Sequence, residues 1–218
     1  MTLNTFLKTH PKITRSLRNF VKDYEQKLDT DTFSSFLETL AEEIRKAAEA
    51  FQSMPAGPAR AFKLQELVDR EIAQQGENIK VSCFKGCSAC CHMEVEVTSD
   101  EAEALADLVT QGHTIDRERL QKLSLRALQD RKWKEGMKNS ENRCVFLSTE
   151  GSCSIYEKRP VMCRRHSVTS PAKNCEDFNA GVTLRYFPTV DLLISAANTG
   201  TDMEVGPLAK MLQIRIQR

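Results

Sequence analysis

The run Cys83-Phe-Lys-Gly-Cys87-Ser-Ala-Cys90-Cys91-His92 places four thiols and an imidazole within ten residues. The other four cysteines, Cys144, Cys153, Cys163 and Cys175, form one later block, and none precedes residue 83 or follows residue 175. If the thiols act as one set, the fold has to bring two separated segments together. Thiols at C-x3-C and C-x2-C spacing on a turn aim two sulfurs at one metal. Zinc takes four Cys and His ligands tetrahedrally, and iron–sulfur clusters take four thiolates at similar spacings. The pattern selects a soft, thiolate-bound metal and leaves zinc and an iron–sulfur cluster both open. All eight cysteines are candidate ligands. They suffice for two four-thiolate centres, or for one centre with spare thiols for disulfide or redox chemistry. Neighbouring side chains diverge, so Cys90 and Cys91 are expected to serve different roles. His92 and His166 are alternative donors, the latter at C-x2-H spacing from Cys163; His10 and His113 have no cysteine neighbours.

The competing use of eight cysteines is a four-disulfide scaffold. A chain of 218 residues with 40% hydrophobic content buries a core without such staples. The first ten residues carry no apolar signal core. The longest apolar stretch, Leu192 to Ala197, falls far short of the roughly 18 residues a membrane span needs. The expectation is a cytoplasmic chain, where thiols stay reduced and ligate metals. A net charge of +1 gives no support for a nucleic-acid or membrane partner. Basic residues near 131–134 and 158–165 read as solvated faces. A protein partner or protein substrate stays open, and the oligomeric state is not specified.

Apolar residues at helical spacing predict three helices before the cysteines. The first covers about 13–29, with Ile13, Leu17, Val21, Tyr24 and Leu28 inward, after a loose leader over 1–12. The second is capped by Asp31 and buries Phe33, Leu37, Leu40, Ile44, Ala47 and Phe51. The third covers about 59–75, with Gly76 as its stop. Beyond the first cysteine run, Met93–Val97 alternates as a strand. Thr98 and Glu101 form a capping-box pattern that opens a helix closed by Gly112, and Asp116 caps another carrying Leu120, Leu123, Ala127 and Leu128. Trp133 reads as a packing residue and 136–142 as a polar loop. Cys144–Tyr156 reads as a hairpin, Pro160 as the start of a short helix bearing Cys163, and 167–188 as turn-rich. Helices near 189–197 and 207–213 end the chain. The expected fold is mainly α with minor β: an N-terminal helical region, 1–78, packed on an irregular cysteine-rich metal-binding domain, 79–218, with a short hairpin.

The motifs resemble a known group. Cys83, Cys87, Cys90 and Cys91, then Val95-Glu-Val-Thr-x-x-Glu101, then Cys144-Val-Phe-Leu, and finally Cys153-Ser-Ile-Tyr-Glu-Lys-Arg-Pro160 with Cys163-Arg164 are similar to the YkgJ-type cysteine-cluster proteins. These are named for a CxxCxxCC motif and described as zinc- or iron-chelating. The resemblance covers about residues 80–175. The first spacing here is three residues rather than two, which Gly86 absorbs. The resemblance implies metal binding. Flagellin lysine N-methylases are similar in their cysteine motifs, so an iron–sulfur redox or protein-modifying enzyme is one alternative. A metal-stapled interaction module is another. No Gly-rich nucleotide or S-adenosylmethionine fingerprint is present, and no catalytic residue is assigned. Within the motifs, Ile155 and Tyr156 are expected to cover the cluster loop, and Arg159 to donate to a thiolate or carboxylate. Lys85, Arg143, Arg159, Arg164 and Arg165 are expected to offset thiolate charge.

Overall fold

The computed structural model describes residues 1–84, 86–177 and 180–217, so Lys85 lies outside the described residues. The chain opens with a helix, α1 (Leu3–Thr9), where a loose leader was expected. Thr2 caps it, and Phe6 is fully buried in the core. Leu3, Phe6 and Leu7 stand at i, i+3 and i+4 and pack on the first core, a short apolar stripe that the leader reading passed over. Next come α2 (Arg15–Glu25), α3 (Thr30–Gln52) and α4 (Pro58–Gly76). Asp29, not Asp31, caps α3: its Oδ1 accepts from the amides of Asp31 and Thr32 at 3.1 and 3.0 Å. Two aspartates stood two residues apart, and the earlier one holds the extended conformation that a cap requires. Gly76 ends α4 without a positive φ. A Cβ there would meet Arg185 Nη1 at 2.9 Å, the movable end of a long side chain, so neither a left-handed stop nor tight packing requires glycine at this position.

The inward faces of α1–α4 pack with α8 (Pro188–Asn198) into a first core, which includes Leu17, Leu37, Ile44, Val68 and Ile194. A second core lies under α5 (Ser99–Thr110), α6 (Arg117–Ser124) and α9 (Leu208–Ile216), with Leu105, Leu120, Phe146, Ile155 and Leu212 at its centre. The strand expected at 93–97 is the shorter β1 (Glu96–Thr98). It pairs antiparallel with β2 (Val205–Pro207), Val97 opposite Gly206. The partner strand was not foreseen, because three residues containing Gly and Pro carry no alternation. Helix α6 stops at Ser124, leaving Leu128 exposed. In place of the expected loop, 3-10 turns occupy Arg131–Lys138 and Ser140–Asn142. The fully buried Asn142 holds them: its Nδ2 donates to the carbonyls of Lys132 and Gly136, and its Oδ1 accepts from Arg126 at 2.6 Å. Trp133 packs against the second core beneath the Arg126 guanidinium, as a packing residue should.

The two cores join at a buried ion pair. Arg60 on α4 donates to both oxygens of Asp100 on α5, at 2.5 and 3.2 Å, and to Asp202 at 2.9 Å. Asp100 also accepts from the Gly57 amide. The architecture is mainly α with one two-stranded sheet among the described residues, in line with the pattern reading. Among the same residues, no helix is long and apolar enough to cross a membrane.

Candidate metal centre

The first cysteine run is anchored at one end by a long-range strand-like contact. The Ser82 amide donates to the Val168 carbonyl at 2.9 Å, and the Val168 amide donates to Cys83 Sγ at 3.4 Å. Gly86 follows at φ +96°, a conformation that only glycine adopts cheaply. This is how the extra residue in the first spacing is absorbed. A 3-10 turn, Ala89–His92, then carries Cys90, Cys91 and His92. The adjacent Cys90 and Cys91 thiols act on each other, Cys90 being drawn down and Cys91 pushed up.

The second block folds back onto this turn. The Cys144 amide donates to the Cys91 carbonyl at 2.8 Å, which fixes the seam between the two segments. The expected hairpin forms, with Leu147 and Cys153 bridged antiparallel and Gly151 at φ +78°. Cys163 sits on α7 (Val161–Arg165), which Pro160 starts. Buried Glu101, the last residue of the first motif, anchors that helix. One carboxylate oxygen accepts from the Val161 amide at 2.8 Å, and the other accepts from the Thr98 amide and hydroxyl. The capping box of α5 thereby reaches across to the Cys163 helix. Cys175 lies on a 3-10 turn, Ala172–Glu176, packed against Ala89–His92. All four later cysteines return to the neighbourhood of the first run.

Cys83 Sγ accepts the Val168 N–H at 3.4 Å, and the backbone amides of Ala89, Phe146 and Ile155 draw the thiols of Cys87, Cys144 and Cys153 downward. Such donors favour the anionic form of sulfur. Burial opposes them and is the largest cause raising the thiols of Cys87, Cys144, Cys153, Cys163 and Cys175, with Cys144 pushed up to about 11. The interaction of Cys90 with Cys91 splits that pair. It draws Cys90 down to about 7 and holds Cys91 well above the usual thiol range. The cysteines are free thiols, each half-buried.

The cations divide differently from expectation. Arg159 lies 3.8 Å over the Tyr156 ring and donates to the Tyr156 carbonyl at 3.4 Å, not to a thiolate or carboxylate. Its charge acts on Cys90 and Cys153. Tyr156 is 44% exposed and serves as the platform for Arg159 rather than as a lid, whereas Ile155 is buried. Arg143 donates to the carbonyls of Leu147 and Ser148 and steadies the hairpin turn. Arg164 turns to Asp69 and Gln65 on α4. Arg165 turns to Asp191 on α8 and Ser16 on α2. These two arginines fasten the Cys163 helix to the first core, because helical geometry points successive side chains away from the sulfur. Two cations that the sequence reading missed act on the thiols: Arg119 on Cys144, and Arg185 on Cys83. Both come from distant segments and carry no local signal. His92 bonds the Ser88 carbonyl through Nδ1 at 3.2 Å. The charges acting on His92 are those of Arg143 and Arg119, and on His166 that of Arg165; neither has a thiol among them.

Residues 82–181 match the family model CxxCxxCC, described as "Putative zinc- or iron-chelating domain". That segment is similar to the CxxCxxCC family. The match spans all eight cysteines and slightly less than half of the chain. The chain matches no curated protein and no solved structure. Metal binding is what the description of that family supports. Among the described residues, no group of three or more His, Cys, Asp or Glu side chains is already placed to hold a metal ion. The donor chemistry nevertheless fits one. Thiols from two segments gather around one turn, Cys83 accepts a backbone N–H bond, and rotation about a single χ1 bond carries a cysteine sulfur between staggered positions. Zinc or an iron–sulfur cluster supplies the positive charge that would hold these buried sulfurs as thiolates.

Proposed function

We propose that this is a cytoplasmic metal-binding protein whose eight cysteines hold zinc or an iron–sulfur cluster as thiolates. The observation that carries this reading is the backbone seam that brings the two cysteine segments together: the Cys144 amide donates to the Cys91 carbonyl at 2.8 Å, and the Val168 amide donates to Cys83 Sγ at 3.4 Å. A neutral thiol is a weak acceptor, whereas a metal-bound thiolate gains from every such donor. Arg159, Arg119 and Arg185 add positive charge beside the thiols. Burial raises the thiols of Cys144 and Cys163, and contact with Cys90 together with burial raises that of Cys91, so a bound cation is what favours their anionic forms. A fully thiolate-ligated zinc is a closed structural site, and a cluster supplies one-electron redox chemistry.

The raised thiols make the reading testable. At pH 7 most of the eight carry a proton that metal binding must displace. Adding zinc to the reduced, metal-free protein in weak buffer is expected to release about three to four protons per zinc, one for each thiol still protonated when it ligates. Apparent affinity then rises with pH, because protons compete less for sulfur. Proton release is read with an indicator dye during the titration. Zinc uptake with no proton release, or no uptake of zinc or iron at all, overturns the assignment.

A further inference from the structure

We infer that residues 182–186 form a self-complementary strand edge through which two copies of this chain pair antiparallel, Leu184 opposite Leu184 of the second copy. The pairing needs no metal and stands apart from the thiolate reading. Along this segment the main chain alternates. Val168 and Leu184 form an antiparallel bridge. On either side of it, the Arg185 amide donates to the Ser167 carbonyl at 2.8 Å and the Thr169 amide to the Thr183 carbonyl at 3.0 Å. Thr183 and Arg185 thus turn these backbone groups inward, and in an extended strand the residues between and beside them turn theirs outward. Among the described residues, no hydrogen bond reaches the main-chain N–H or C=O of Val182, Leu184 or Tyr186. The far side of Val168 is already closed, since its carbonyl accepts from the Ser82 amide. Val182 is 38% and Leu184 52% exposed. Unpaired donors and acceptors beside exposed apolar side chains, with no Lys or Pro in the segment, make an edge that takes up another strand.

The order of residues along the edge selects a second copy as the occupant. Outward backbone groups recur at every second position, so an antiparallel pair centred on Leu184 matches each N–H with a C=O. Leu184 exchanges both bonds with Leu184 of the second copy, and Val182 exchanges both with Tyr186 of the second copy. The side chains agree with this register. Leucine meets leucine, and β-branched Val182 meets aromatic Tyr186, pairs that stabilise a sheet. Arg185, the one charged residue of the segment, falls opposite Thr183, so no like charges face each other. Its guanidinium is also turned aside, over the Phe187 ring at 4.6 Å. The joined ladder runs from the Ser82 segment of one copy through Val168 and Leu184 to the same segment of the other. Pairing therefore also steadies the strand whose Val168 amide holds Cys83 Sγ.

The test is sedimentation velocity on the full chain, kept reduced so that no disulfide links the copies. The wild type is expected to pass from monomer to dimer as its concentration rises from micromolar toward millimolar. Leu184→Lys and Leu184→Glu each set like charges opposite one another, and each is expected to stay monomeric over that range. An equimolar mixture of the two is expected to regain the dimer, because opposite charges then face each other across the pair. Leu184 is more than half exposed, so neither substitution disturbs a core, and unchanged helical circular dichroism checks this. Should either variant fail to fold, Val182→Lys, on the same exposed edge, is read in its place and is expected to abolish the dimer. A wild type that stays monomeric throughout overturns the inference. So does a dimer that a folded Leu184→Lys or Val182→Lys chain retains, or a charge-paired mixture that stays monomeric.

Discussion

Arg60→Ala is expected to lower the stability of the protein by about 3–5 kcal/mol. The guanidinium is nearly fully buried and makes a forked contact with the equally buried Asp100. Removing it strands a carboxylate away from water with the Gly57 amide as its remaining protein donor. That loss is larger than the contact is worth as a pair, because the cost of an uncompensated buried charge is added to it. The double variant Arg60→Met/Asp100→Asn is therefore expected to recover more than half of the loss: Met fills the space and Asn keeps an acceptor for the Gly57 amide. Urea unfolding measures this, as a fall in midpoint at constant slope. Equal losses in the single and double variants would show that packing, not charge, sets the effect. The pair joins the first turn of α4 to the first turn of α5, so it also sets where Glu101 points.

Glu101→Ala is expected to cost about 3 kcal/mol, since it leaves the Thr98 and Val161 amides buried without an acceptor, at about 1–3 kcal/mol each. Glu101→Gln keeps one carbonyl oxygen and is expected to fall between. The two variants also differ in pH response. Burial is the largest cause raising the Glu101 carboxyl above its ordinary value near 4.5. The folded state then binds more protons than the unfolded state in the window just above 4.5, so the contribution of this group falls as pH rises through that window. Glu101→Gln is expected to flatten that slope. Unfolding free energies measured across the window check it; an unchanged slope would place the proton elsewhere. Because the Val161 amide is the first of the Cys163 helix, both variants are also expected to speed reaction of Cys163 with a thiol reagent in the metal-free protein.

What could be read in advance was local. The helical periods of α2, α3 and α4, the Thr98–Glu101 capping box, the hairpin at Gly151 and the glycine at 86 each depend on residues within a few positions of one another. The features missed depend on distant ones. β2 exists because β1 needs a partner, and the turns at 131–142 are held by Asn142 and Arg126 from outside any local pattern. The candidate site divides in the same way. The cysteines declared themselves by spacing, but their mutual arrangement did not. Arg164 and Arg165 sit beside Cys163 in sequence and turn away from it, while Arg119 and Arg185 arrive from far along the chain to act on Cys144 and Cys83. Charge next to a ligand in sequence is a poor guide on a helix, where neighbours face different directions.

The most direct test of the thiolate-ligated metal is to purify the protein anaerobically and quantify iron, zinc and acid-labile sulfide on one sample alongside its absorption spectrum. The account predicts stoichiometric metal: either iron matched by sulfide with a broad band near roughly 400 nm, or zinc in a colourless protein. A protein with neither metal, in which all eight thiols react freely in the native state, would contradict it.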